Sequence, residues 1–381
     1  MECSTVPLTL TLASRNLFHD RLRFTATVIG IVFSIVLVMV QLGLYLGFGR
    51  MVTTMIDHAN ADLWVVSHGA KSFEDLSLID LDIRRKVLAV NGVAKATPVI
   101  IGFSDWHMPG GGLTPVFVVG ADSAGGLQPW NVVEGSVQAL SAPDAVAVDR
   151  SYLERLGISG LGATAEIHGH KVRVAALTQG IRSFTTTPYV FAEIDRARSY
   201  LGLPPNKANN LLIRLAPRKD PELVSREIEA KVPGVDVLTS EEFRSRSRSF
   251  WLFGTGAGAA LFAGALLGVI VGTVIVAQTL YSSTVDHLTE FATLRAVGCS
   301  NRYIFRVIRY QAVISAIIGF SLASLIGAAV VRMTAKSALP IVITPELVLG
   351  LFFLTVLMCI ASAVVAIIRV IHIDPVMVLT R

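Results

Sequence analysis

Two histidines one residue apart, His168 and His170, come closest in type and spacing to a metal site in this chain. Alternate residues of a strand share a face, so the pair could offer two imidazoles to one ion. No third ligand stands nearby, and the flanking stretches Ala163–Ile167 and Lys171–Leu177 read as the arms of a hairpin, so a plain polar turn is preferred. The chain has no GxxxxGK[ST] loop with which to cradle ATP, and neither HExxH nor GxSxG occurs. Cys3, Cys299 and Cys359 have no zinc-type spacing, and none falls within 51–250, so that segment must hold together without disulfides. No catalytic residue, no metal site and no cofactor of the chain's own is expected.

The other polar groups of interest lie in long apolar runs. Gln41 and Gln278 read as inter-helix hydrogen-bonding groups, with a substrate contact as the alternative. Gly264, Gly268 and Gly272 recur every four residues, and Gly43 and Gly47 repeat the spacing. Such stripes bring helix backbones close in lipid. They fit packing within one subunit and a homodimer contact equally well.

These residues imply a membrane frame. The chain has 381 residues, 52% hydrophobic and only 16% charged, against about a quarter charged in soluble proteins. A span needs about 20 apolar residues to cross about 30 Å of hydrocarbon. Four runs qualify: Phe24–Phe48, Trp251–Tyr281, Gln311–Val331 and Leu347–Ile368. The second would be roughly 45 Å long as one helix and should tilt or project. Thr344-Pro345-Glu346 opens the fourth as N-cap, first-turn proline and dipole-matching acid. No Asp, Glu, Lys or His stands near a span centre, which disfavours a proton relay or ion path.

The net charge of +5 does not indicate nucleic acid, because many arginines flank the spans. Arg15, Arg21 and Arg23 precede span one. Arg295, Arg302, Arg306 and Arg309 lie between spans two and three, and Arg369 and Arg381 follow span four. The excess of cations on these short segments predicts cytoplasmic termini and a large outer domain. Arg50, Arg244, Arg246 and Arg248 oppose the rule but border that long domain.

The expected layout is an α-helical membrane protein with four transmembrane helices and a mixed α/β extracytoplasmic domain inserted between spans one and two. Its segments are a cytoplasmic amphipathic N-terminal helix (1–23), span one (24–49), the outer domain (50–250), span two (251–281), a cytoplasmic segment (282–310), span three (311–331), a short outer loop (332–346), span four (347–368) and a cytoplasmic tail (369–381). In the outer domain, strands are expected at Ala61–Ser67, Val93–Gly102, Val116–Gly120, Lys171–Leu177 and Asn210–Leu215. Helices are expected at Ile79–Val90, Arg150–Leu156, Ile194–Tyr200 and Pro221–Lys231.

The segment after span two is the most informative. Leu288, Phe291, Ala292 and Arg295 follow helical spacing, and Gly298 offers a left-handed stop. Apolar residues on an exposed cytoplasmic helix suit a docking partner better than a bare connection.

The run EFATLRAVGCSNRYIF resembles the E-[IF]-x-x-L-[RK]-A-[LMV]-G pattern of the FtsX/MacB superfamily of ABC transporter permeases. VGTVIVAQTLYSSTVDHLTEFATLRAVG, LASRNLFHDRLRF, ADLWVV and the ending IDPVMVLTR are similar to its DevC branch, the permeases of heterocyst-type exporters. The resemblance implies a homodimeric permease in the bacterial inner membrane, with its large domain periplasmic. It implies a separate ABC ATPase subunit carrying ATP and Mg, a membrane-fusion adaptor protein and a TolC-like outer-membrane channel. The ATPase would dock on Thr284–Gly298, with Glu290, Thr293, Leu294, Arg295 and Gly298 as the matched coupling residues. Asp286-His287 stands where a basic pair precedes the motif in classical MacB. An FtsX-like regulator of a cell-wall hydrolase and a lipoprotein-release permease share the architecture.

Overall fold

A computed structural model describes residues 13–15, 17–19, 21–122, 125–286, 301–334 and 341–371. The coupling residues Glu290, Thr293, Leu294, Arg295 and Gly298 lie outside them, as do most of the N-terminal segment and the whole of 372–381. Contacts divide the chain into two units, Met1–Gly47 with Ala259–Arg381, and Phe48–Gly258.

The first unit is helical. Helix α1 (Arg21–Met51) begins its membrane-length run, and the later helices of this kind are α7 (Ala257–Asp286), α8 (Asn301–Thr334) and α9 (Pro345–Ile371). All four are long and apolar enough to cross a membrane. Ile31, Ile35 and Val38 of α1 share a core with Ala265 and Val276 of α7, Ala312 and Ala316 of α8, and Leu351 and Met358 of α9. Small residues dominate the α8 contribution, which lets the backbones approach where no hydrophobic effect drives helices together. The start of α9 follows the expected cap: Leu347 N donates to Thr344 Oγ1 at 3.2 Å, and Glu346 sits in the first turn.

The second unit is built on a mixed sheet. In chain order its strands and helices are α2 (Thr54–His58), β1 (Leu63–Ser67), β2 (Ile79–Asp80), α3 (Ile83–Leu88), β3 (Val93–His107), β4 (Leu113–Ala121), β5 (Val132–Gly135), β6 (Ala145–Asp149), β7 (Thr164–Ile167), β8 (His170–Thr178), β9 (Tyr189–Glu193), α4 (Ile194–Leu201), β10 (Lys207–Ala208), β11 (Asn210–Leu215), α5 (Pro221–Lys231), β12 (Val235–Thr239) and α6 (Ser240–Ser249). Among the described residues ten strands form one sheet, in the order β12-β1-β11-β3-β4-β9-β6-β8-β5 with β7 against β3 and β8. The β4–β9 and β6–β8 pairs are parallel and the rest antiparallel.

Both faces of this sheet are covered, which explains the unbroken apolar run of β1. Leu63 and Val65 pack with Val87, Val224 and Ile228 on one side. Trp64 and Val66 pack with Phe73 and Phe243 on the other. Full burial of a side chain such as Trp64 contributes about 3 kcal/mol. α5 starts on Asp220, whose side chain accepts from Glu222 N, with Pro221 at the first helical position. α4 stops at Gly202, at φ +62°.

Several expectations need correction. The helix expected at Ile79–Val90 is the two-residue strand β2 followed by the shorter α3, because Ile79 and Asp80 pair with Ala208 and Lys207. The stretch Arg150–Leu156 makes a 3-10 turn at Arg150–Tyr152 instead of an α-helix. Span two does not run unbroken from Trp251. Residues Phe250–Gly254 form a π-helical turn, Gly256 takes φ +77°, and α7 begins only at Ala257.

Candidate functional site

Among the described residues no cluster of His, Cys, Asp or Glu could hold a metal ion. His168 and Gly169 both have positive φ, 48° and 79°, and Ile167 pairs directly with His170. They therefore form the two-residue turn of a twisted hairpin.

The densest set of side-chain links between distant segments lies at one edge of the sheet. Strands β1 and β12 are antiparallel neighbours, Leu63 opposite Thr239. The chain that comes from α1 and the chain that leads on to α7 therefore meet the sheet side by side. A neck of short elements ties them together.

Helix α6 is anchored at its start by a reciprocal cap. Glu242 N donates to Thr239 Oγ1 at 3.2 Å, and Thr239 N donates to Glu242 Oε2 at 2.7 Å. Ser240 Oγ accepts from Trp64 Nε1 at 3.1 Å and donates to Ala61 O at 2.8 Å. One turn on, Phe243 is fully buried with its ring 5.1 Å from Trp64. One further turn on, Ser247 Oγ donates to Val52 O at 3.1 Å. Residues 240, 243 and 247 thus form one helical face, riveted to the segment that follows α1.

Charge pairs reinforce the neck. Arg244 Nε lies 2.6 Å from Asp57 Oδ1 of α2, and the same carboxylate accepts from Thr53 Oγ1 at 2.8 Å. Arg246 pairs with Asp236 and also donates to Ala70 O at 3.2 Å. His68 Nδ1 meets the other Asp236 oxygen at 2.7 Å. Burial pushes the Asp236 carboxyl up, but the hydrogen bonds from Arg246 and His68 outweigh it and hold the group below its usual range.

The π turn carries the other half of the neck. Trp251 Nε1 donates to Glu74 Oε2 at 3.1 Å, and the indole packs edge-on against Phe184 at 4.5 Å between centroids. Phe184 in turn meets Phe48 at 5.4 Å. Burial pushes the Glu74 carboxyl up to about 7, against the lowering effect of its backbone, Trp251 and Ser72 hydrogen bonds.

Within the helical unit the glycine stripe is filled by the chain itself. A side chain at Gly264 would meet Gln41, one at Gly268 would meet Val38 and Leu37, and one at Gly272 would meet Ser34. Gly43 abuts Ile341 and Val342, and Gly47 is buried. Ser34 Oγ donates to Gly268 O at 2.6 Å, and Ser362 Oγ donates to Thr273 O at 2.9 Å. These serines, rather than the two glutamines, make the inter-helix hydrogen bonds seen among the described residues. Gln41 packs against Gly264, and Gln278 is exposed.

The neck was not legible as a site from sequence. Arg244, Arg246 and Arg248 stood out only as exceptions to the charge rule. The T-x-x-E cap at Thr239–Glu242 was the available signal.

Comparison with known proteins covers nearly the whole chain. Residues 24–231 match the MacB-like periplasmic core domain, and 251–375 match the FtsX-like permease C-terminal region. Two Mycobacterium tuberculosis proteins, from strains CDC 1551 and H37Rv, are each named an uncharacterized ABC transporter permease. They are 27% identical over 379 residues, spanning 95% of this chain and 97% of theirs. The periplasmic region of MacB from Actinobacillus actinomycetemcomitans aligns with a TM-score of 0.37 at 8% identity, over 50% of this chain and 94% of that one. The extracellular domain of the transporter YknZ from Gram-positive bacteria aligns with a TM-score of 0.34 at 12% identity, over 47% and 99%.

Proposed function

The chain belongs to the FtsX/MacB superfamily of ABC transporter permeases, and on that premise we propose that it is the lever subunit of an ATP-driven exporter. The observation that carries the proposal is the neck. The segments that join the first two apolar helices to the sheet are bound to each other and to β1 and β12 before the sheet core begins. A displacement of either helix end therefore reaches the sheet as one movement. The span centres carry no ionisable group, which suits helices that move and argues against a charged path between them.

In this reading the sheet domain is inserted between spans one and two on the periplasmic side, and both termini are cytoplasmic. A separate ATPase binds ATP and Mg and docks on 284–298, with Glu290, Thr293, Leu294, Arg295 and Gly298 at the contact. An adaptor and a TolC-like outer-membrane channel complete the route. Two copies of the permease work together. Because span one of the same chain fills the stripe at Gly264, Gly268 and Gly272, the second copy sits elsewhere.

The test is ATPase stimulation in proteoliposomes containing the permease, its cognate ATPase and the adaptor. Glu290→Lys and deletion of 284–298 should each abolish stimulation; unaffected stimulation would overturn the coupling role. Purification from native membranes separates the alternatives. An adaptor and an outer-membrane channel support export, whereas a cell-wall hydrolase in their place would make the chain an FtsX-like regulator.

A further inference from the structure

Arg244, Arg246 and Arg248 occupy alternate positions of α6, yet only the first two are neutralised. Arg244 is paired with Asp57 and Glu241, and Arg246 with Asp236. Among the described residues no carboxylate lies within ion-pair distance of Arg248, nor of Arg50 in the last turn of α1. Both residues are exposed. The fold brings Arg248 to the end of α1 that carries Arg50. Arg248 Nε reaches Gly49 O at 3.4 Å, the carbonyl of the residue just before Arg50. The Arg248 stem also lies about 4.0 Å from where a Gly49 side chain would start.

The surroundings point to a ligand with a charged head and an apolar body. Arg50 closes a helix of membrane-crossing length and apolarity. Phe253, three residues past Phe250 on the adjoining π turn, is 65% exposed. Lys71 adds a third cation, its Nζ 5.6 Å from the Phe250 ring centroid. The Glu74 carboxyl nearby is engaged by the Trp251 indole. Cations and exposed aromatic rings at the end of an apolar helix occupy the depth of lipid headgroups. Neither guanidinium is neutralised by a carboxylate, and a phosphodiester accepting from both forks would neutralise them.

We propose that Arg50 and Arg248 form a binding site for the phosphate of an anionic phospholipid headgroup, with Phe253 in the adjoining acyl layer and Lys71 at the rim. The site rests on the membrane-spanning reading of α1 but not on export, nor on which side of the membrane the sheet occupies.

The experiment uses the full chain in nanodiscs, which present both leaflets. The discs contain phosphatidylcholine with a tracer of phosphatidylglycerol carrying a photoreactive headgroup, and cross-linked peptides are mapped by mass spectrometry. Labelling is expected on 48–53 and 244–256. Unlabelled phosphatidylglycerol should compete, whereas phosphatidylcholine and inorganic phosphate should not. The double variant Arg50→Gln with Arg248→Gln should lose about tenfold in labelling, while Arg226→Gln on α5 should lose none. Arg50→Lys with Arg248→Lys, which keeps the charge and spares the fold, should lose part because a point charge replaces the fork. Undiminished labelling in both double variants, equal competition by phosphatidylcholine, or full competition by free phosphate would each overturn the site.

Discussion

Replacing Glu74 with glutamine should stabilise the protein at pH 8 and leave its stability unchanged near pH 4.5. The side chain is held in the neck against Trp251, and burial raises its carboxyl from 4.5 to about 7. The folded protein therefore keeps this proton to higher pH than the unfolded chain does. Between the two values the folded state binds more protons, so stability falls as pH rises through that window and stays lowered above it. Below 4.5 both states are protonated and the group contributes nothing. The interval from 4.5 to about 7 corresponds to about 3 kcal/mol at 1.36 kcal/mol per pH unit. Solvent reaching this partly exposed residue reduces the figure to about 1–2 kcal/mol. Glutamine keeps an acceptor for Trp251 Nε1 and removes the titration. The charge it removes is also the one that faces the buried Tyr189 hydroxyl, whose proton is held well above the ordinary range by burial and then by Glu74. The measurement is the thermal midpoint of variant and wild type in detergent, followed by tryptophan fluorescence across pH 5 to 8. A gain of about 2–6 °C at pH 8 that fades toward pH 5 is expected. A difference that is the same at both ends, or that grows toward acid, would refute the burial argument.

Gly272→Ala should cost about 1–3 kcal/mol through overpacking against Ser34, whereas Gly350→Ala, with no atom within 4 Å, should be nearly neutral; thermal midpoints in detergent compare the two. Gly256→Ala should cost about 1–2 kcal/mol because Gly256 has φ +77°, and relaxation toward a helix would fuse the π turn with α7. The thermal midpoint in detergent checks this cost. His168→Asn should hold or slightly raise the thermal midpoint, since asparagine tolerates the positive φ of this turn, and added zinc should shift neither form.

What the sequence revealed depended on whether the information was local. α5 appears at the expected Pro221–Lys231 because an Asp-Pro start and a helical apolar face lie within one segment, and β11 at the expected Asn210–Leu215 because the apolar run Leu211–Ile213 stands between polar Asn210 and Arg214. β6 and β9 were missed. Their runs AVAVD and YVFAE are short and buried on both faces, so they show no alternation. α6 was missed because SEEFRSRSRS buries only Phe243 and Ser247, too few apolar residues to show a period. The start of span two was misplaced for the opposite reason. Composition stays apolar through Phe250–Gly254, and only the positive φ of Gly256 separates the turn from α7. The neck itself joins residues such as His68 and Asp236, 168 positions apart, and no periodicity reports a contact of that kind.

The break at Gly256 and the rivets of α6 give the two chain segments of the neck different local structures. On the α1 side, Gly49 and Val52 are hydrogen-bonded directly to α6, and Asp57 is ion-paired with it. Three side chains of α6, Arg244, Ser247 and Arg248, make these contacts. On the α7 side, the π turn is held by Trp251 to Glu74 and Phe184, and the helical backbone is interrupted at Thr255-Gly256 before α7 begins. One continuous helix would have carried its hydrogen-bond ladder from α6 onward; the left-handed Gly256 ends it, so the neck's contacts at Trp251 are complete before α7 begins.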